Sequence, residues 1–119
     1  MPETFTFVPA SSWEGLSPIK QAYGVCLDNQ QRVLLQKHPD RPWNIPGGQP
    51  EPGETYEQTV IREVYEETNV RVENPRFIGY QEVFEDGVLK AYQLRFIATV
   101  VAIDQRQPDP DEGVMRERM

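Results

Sequence analysis

A single α+β domain is what the sequence predicts, and three observations predict it. The chain has 119 residues, enough for one core and too few for two. Apolar runs at Ile19–Leu27, Phe77–Phe84 and Val88–Ile103 have the length and composition of strands. Between them, Thr55–Thr68 holds no Gly or Pro, and Val60, Ile61, Val64 and Thr68 recur at helical spacing to make one apolar stripe.

Taken in order, the elements follow from local chemistry. Thr4–Val8 alternates as a short strand and Pro9–Gly15 is loop-like, so residues 1–18 read as an arm over the domain edge. Ile19–Leu27 and Arg32–Gln36, separated by the turn-like Asp28-Asn29-Gln30-Gln31, read as a hairpin. Cys26 is the only cysteine, which excludes an intramolecular disulfide and a cysteine zinc cluster; in its apolar run it reads as a buried structural thiol. Lys37–Pro42 is a loop carrying the single histidine, His38, which is expected to be solvated. Lys37 and Arg41 flank the approach to a glycine pair, where they would meet substrate phosphates or serve solubility.

Trp43–Pro46 reads as a short strand leading into Gly47-Gly48, with Trp43 expected to fill the core rather than stack on a base. Beyond the helix, Arg71–Glu73 leads to Asn74-Pro75, and Phe77–Phe84 is a strand. Asp86-Gly87 is a hairpin turn, and Val88–Ile103 is a long strand entering the centre of a sheet. Tyr80, Phe84 and Tyr92 are read as core aromatics. Residues 104–119 form a polar, proline-rich loop and a short tail.

Charge narrows the function. The net charge of −7 argues against a binder of nucleic-acid polymers, which are usually basic. The acidity is local: Gly48–Glu73 carries seven Glu and two Arg, while the rest of the chain is close to balance. No stretch reaches transmembrane length, and no basic-then-apolar leader opens the chain, so a soluble, cytoplasmic protein without membrane contact is expected.

Three of those glutamates share a helix face. At about 100° per residue, Glu63, Glu66 and Glu67 fall within an arc of roughly 100° beside the apolar stripe. Like charges at this spacing repel by a few tenths of a kcal/mol per pair, and the negative end of the helix dipole opposes them further. A hard divalent cation, which takes carboxylate and phosphate oxygens together, would relieve the cost. The plainer alternative is a solvated acidic face.

The spacing favours the cation. Gly48, five residues, Glu54, seven residues, then Arg62-Glu63-Val64-Tyr65-Glu66-Glu67-Thr68-Asn69-Val70 resembles the Nudix box of the Nudix hydrolases, and Trp43-Asn44-Ile45-Pro46-Gly47-Gly48 resembles the segment that leads into it. The match spans the whole box and departs only at Asn69, where the family usually has Gly. That residue ends the helix in the left-handed conformation, which Asn tolerates next best.

The resemblance implies a Nudix fold, a mixed sheet sandwiched between helices, in one domain over residues 1–119 with the box at 48–70. Family members usually continue past a loop such as 104–119 with another strand and a closing helix. The final helix is therefore expected to be missing, through truncation or with a partner chain, such as a second copy, covering the exposed face. The implied activity is hydrolysis of a nucleoside diphosphate linked to another moiety, a small-molecule substrate, with Mg2+ or Mn2+ as cofactor. Glu63, Glu66, Glu67 and the Gly48 carbonyl would hold the metal, and Glu66, or alternatively Glu63, would be the general base. Arg62, Glu54 and Gly47 would position the site. The competing class is a Nudix-like module that senses a nucleotide or sugar-nucleotide without turnover.

Overall fold

The computed structural model describes residues 3–110 and 115–119. The strands are β1 (Glu3–Pro9), β2 (Ile19–Leu27), β3 (Gln36–Lys37), β4 (Gly47–Gly48), β5 (Val70–Glu85), β6 (Val88–Ile103) and β7 (Glu117–Arg118). The helix α1 (Tyr56–Thr68) is the one helix among the described residues. A five-stranded mixed sheet has the order β1-β5-β6-β2-β4, and β3 pairs with β7 in a separate two-stranded ribbon. Only β2 and β6 run parallel; the other pairs are antiparallel. As expected, β6 lies at the centre of the sheet, and it covers the predicted residues 88–103.

One face of the sheet carries the core. Ala22, Cys26, Leu94, Phe96 and Ala98 alternate inward and meet Val60 and Val64 from α1, all essentially inaccessible to solvent. Gly24 lets the helix come close, since a Cβ there would lie 2.9 Å from Val60 Cγ1. Trp13, from a segment to which the sequence reading gave no role, plugs the open end of this layer edge-on to Tyr56, Phe77 and Phe96. Cys26 is buried as expected, and burial pushes its thiol up to about 12.

Local chemistry sets the ends of α1. Thr55 and Gln58 form a reciprocal capping box at its start. Asn69, at φ 58°, ends it in the left-handed conformation predicted for that position. At the β5–β6 turn, Asp86 and Gly87 both have positive φ, the geometry of a two-residue hairpin turn with the right twist.

Several expectations are corrected. The stretch 32–36 does not form the second strand of a hairpin. Asp28 accepts from the backbone of Gln30 and Arg32, and pairing with β2 stops after the Leu27–Val33 bridge and one bond from Leu34 N. Its last residue instead begins β3, which β7 covers. The strand expected at Phe77–Phe84 is longer: β5 starts at Val70 and runs through Asn74-Pro75 as a bulge, with Asn74 at φ 54° and the register shifting between Glu73 and Arg76. Ile61 lies outside the buried stripe, 38% exposed, and Thr59 takes its place. His38 is buried, its Nδ1 accepting from Asp40 N at 3.1 Å. Within the N-terminal arm, the short strand expected at Thr4–Val8 is present as β1, an edge strand paired with β5 along its length.

The C-terminal loop does not stay a loop. Within residues 115–119, β7 pairs with β3, and Met119 exchanges backbone hydrogen bonds with Leu35. The part of the predicted loop at residues 111–114 lies outside the described residues. Val101 and Ile103 remain exposed on β6, next to an apolar hollow of about 490 Å³.

Phe96 has no exposed surface and sits among Trp13, Phe77 and the helix-facing core. We expect Phe96→Ala to lower unfolding free energy by about 3–5 kcal/mol, measured by chemical denaturation.

Candidate active site

The site begins at a turn and a guanidinium. Arg62 projects from the second turn of α1 back over the loop that precedes the helix. Its Nε donates to Glu54 Oε2 at 2.7 Å and its Nη2 to Glu54 Oε1 at 3.0 Å, a two-pronged ion pair. Nη2 also donates to the Gln49 carbonyl, and Nη1 bridges Glu63 Oε1 at 2.9 Å and Glu66 Oε1 at 3.2 Å. Glu54 in turn accepts from Thr59 Oγ1 and Glu51 N. The Arg62 guanidinium, followed by these other donors, holds the Glu54 carboxyl down at about 2. Arg62 thus holds Glu54 and Glu66 at once, as its expected positioning role requires.

The glutamates meet the glycine pair. Glu67 Oε1 accepts from Gly47 N at 3.2 Å. Glu63 lies so close to Gly48 that a Cβ there would sit 1.6 Å from Glu63 Oε2. This close approach is the physical reason for glycine at position 48, and β4 pairing with Ala22 and Tyr23 holds the turn in place. Glu66 projects one helical turn beyond Glu63, beside Arg62.

Burial sets the charge state. Desolvation, reinforced by Glu66, outweighs the Arg62 guanidinium and pushes Glu63 up to about 7. Glu67 is 6% exposed, and desolvation pushes it up to about 8 against the pull of Arg116. Two buried carboxyls that resist ionising beside a third form a donor set that a divalent cation fits, because its charge restores the anionic form. Among the described residues no three His, Cys, Asp or Glu side chains are already drawn together into a metal cage.

Glu63, Glu67, Arg62 and the glycine pair line a cavity of about 650 Å³ with Tyr23, Arg41 and Trp43. Trp43 corrects the expectation of a core residue. It is 38% exposed at the cavity wall, because the two backbone bonds between Asn44 and Gln36 fix this segment at the surface and Trp13 fills the core instead. Arg41 reaches the cavity; Lys37 is not among its lining residues and donates to the His38 carbonyl. Tyr80 packs against the core as expected and stands edge-on to Tyr92, and neither lines the cavity; Tyr92 and Phe84 are half-buried outside the core cluster.

The sequence reading missed Arg116 and Asp109. Arg116 Nε pairs with Asp109 Oδ2 at 3.2 Å and its Nη1 donates to Gln36 Oε1 at 2.9 Å, with both charged side chains almost fully buried. No local pattern marked them, since their partners are set by the β3–β7 pairing.

Comparison with known proteins places this geometry. The NUDIX domain family model matches residues 18–118, and the chain belongs to the Nudix family. The crystal structure of a mutant form of the Bacillus subtilis pyrophosphohydrolase BsRppH superposes with a TM-score of 0.76 at 25% identity, over all of this chain and 77% of that one. A Bacillus subtilis protein provisionally named an 8-oxo-dGTP diphosphatase is 34% identical over 73 residues, 53% of this chain and 49% of its own length. Mouse diphosphoinositol polyphosphate phosphohydrolase 3-alpha is 35% identical over 89 residues, 71% of this chain and 52% of its own length. The chain thus spans about half the length of these curated relatives. The mixed sheet with α1 on one face is the arrangement the Nudix resemblance implies.

The contact between Gly48 and Glu63 can be tested directly. Gly48→Ala forces Glu63 out of place, and we expect Mn2+ affinity to fall about tenfold or more by titration calorimetry while the fold persists by circular dichroism. The burial of Glu67 has its own consequence. Its folded pKa lies above its ordinary value, so between about pH 4.5 and 8 the folded state holds a proton that the unfolded state has released. Stability in EDTA should therefore fall as pH rises through that window, by on the order of 2 kcal/mol, and Glu67→Gln should flatten the slope in denaturation curves.

Proposed function

We propose that this chain is a divalent-metal-dependent pyrophosphohydrolase that cleaves a phosphate–phosphate bond in a nucleoside diphosphate linked to another moiety, such as a nucleoside triphosphate or an ADP-sugar. The observation that carries the reading is the seating of Glu63 and Glu67 against the Gly47-Gly48 turn at the wall of one cavity, with Glu66 held beside Glu63 through Arg62. Names among the relatives fit the class of chemistry: a diphosphatase, a phosphohydrolase and a pyrophosphohydrolase.

Each residue has a role in this scheme. Glu63, Glu67 and the Gly48 carbonyl, with Glu66 at their edge, would hold Mg2+ or Mn2+. When bound, that ion neutralises the phosphate chain and stabilises the leaving oxygen. Glu66 is the general base: it takes the proton of the attacking water as the water oxygen bonds to phosphorus and the bridging P–O bond breaks. Its position away from the glycine turn, which Glu63 and Glu67 occupy, favours it over Glu63. Arg62 and Glu54 hold the turn and helix in register, and Trp43 offers an aromatic face to a base at the cavity wall.

The test is release of phosphate or pyrophosphate from a panel of nucleoside diphosphate derivatives with Mg2+, Mn2+ or EDTA. Turnover should require metal. Glu66→Gln should lower kcat by about 100-fold or more with metal affinity within a few-fold, whereas Glu63→Gln should weaken metal binding first. Tight nucleotide binding without turnover on any substrate would point instead to a sensor.

A further inference from the structure

Arg116 has no part in the scheme above, yet it is a wall of the same cavity. Its side chain is 4% exposed, lines the cavity with Glu63 and Glu67, and is aimed by groups from two other segments, Asp109 and Gln36. A buried ion pair is a poor device for stability alone, since each ion loses several kcal/mol of hydration that an apolar pair would not. Placing a fixed cation here has a chemical use. A pyrophosphate entering a cavity walled by carboxylates meets repulsion, and a guanidinium in a low-dielectric wall offsets it without reorganising.

Resting on the hydrolase reading, we infer that Arg116 is a positioning residue for the substrate, fixing the phosphate chain against the cavity wall while Asp109 and Gln36 hold the guanidinium in place. The C-terminal segment then sets substrate affinity as well as closing the β3–β7 ribbon.

The test compares Arg116→Met, Arg116→Lys and Asp109→Asn with the unaltered chain. It uses the panel substrate turned over fastest, calorimetric binding of magnesium pyrophosphate, and thermal melting. Arg116→Met should raise KM and weaken pyrophosphate binding about tenfold or more, with kcat within about threefold, and Arg116→Lys should recover part of the loss. Asp109→Asn separates charge from scaffolding. It keeps an amide oxygen that can accept from Arg116 Nε and removes the opposing charge, so KM should hold or fall even as the melting temperature drops. If Asp109→Asn and Arg116→Met raise KM alike, Arg116 is structural and the inference is overturned. Unchanged KM and pyrophosphate binding in a folded Arg116→Met would also overturn it, while an unaltered chain that neither turns over nor binds pyrophosphate would overturn the hydrolase reading first. Where Arg116→Met does not fold, Arg116→Lys decides: a KM rise without a change in kcat supports the inference, and an unchanged KM overturns it.

Discussion

The Arg62 guanidinium is the constraint on which the site depends. It ties a proline- and glycine-rich turn to a helix through Glu54, and the same cation bridges Glu63 and Glu66, offsetting their repulsion across one turn. Arginine suits this work because its planar fork makes several directed bonds at once, which a lysine ammonium cannot do. Everything the candidate chemistry needs, from the glycine pair to the third carboxylate, takes its position from this one residue and from the β4 pairing that holds the turn.

The acidic helix end remains a problem that Arg62 does not solve. No basic side chain occupies the last turn of α1. The charge is supplied from far along the chain instead. Arg118 donates to the carbonyls of Thr68 and Asp104, Arg106 donates to the Asn69 side chain, and Arg116 lies near Glu67. Cations near the carbonyl end of a helix offset its dipole. The segment that follows the sheet therefore stabilises the helix and shapes the cavity at the same time.

Much of the fold was legible because its signals were local. β2 and β6 appear at the predicted residues, since long apolar runs bounded by turn residues have few alternatives. The helix began at a capping residue and ended at an asparagine that tolerates positive φ. The failures share a cause. Trp43, expected in the core, faces the cavity while Trp13 packs on the core, and the stretch after Asp28 left β2, because each outcome turned on which partner occupied a shared position in space.

By itself the sequence determined the box: a glycine pair, an acidic turn and a helix whose spacing puts three carboxylates on one side. Spacing along a helix is a local property, so it survives without knowledge of the rest. Only the tertiary structure decided which of those carboxylates are buried against the glycines, that Trp43 faces the cavity, and that Asp109 and Arg116 stand beside Glu67. Burial and long-range ion pairs depend on strands brought together from distant parts of the chain, and no pattern in either part records its partner.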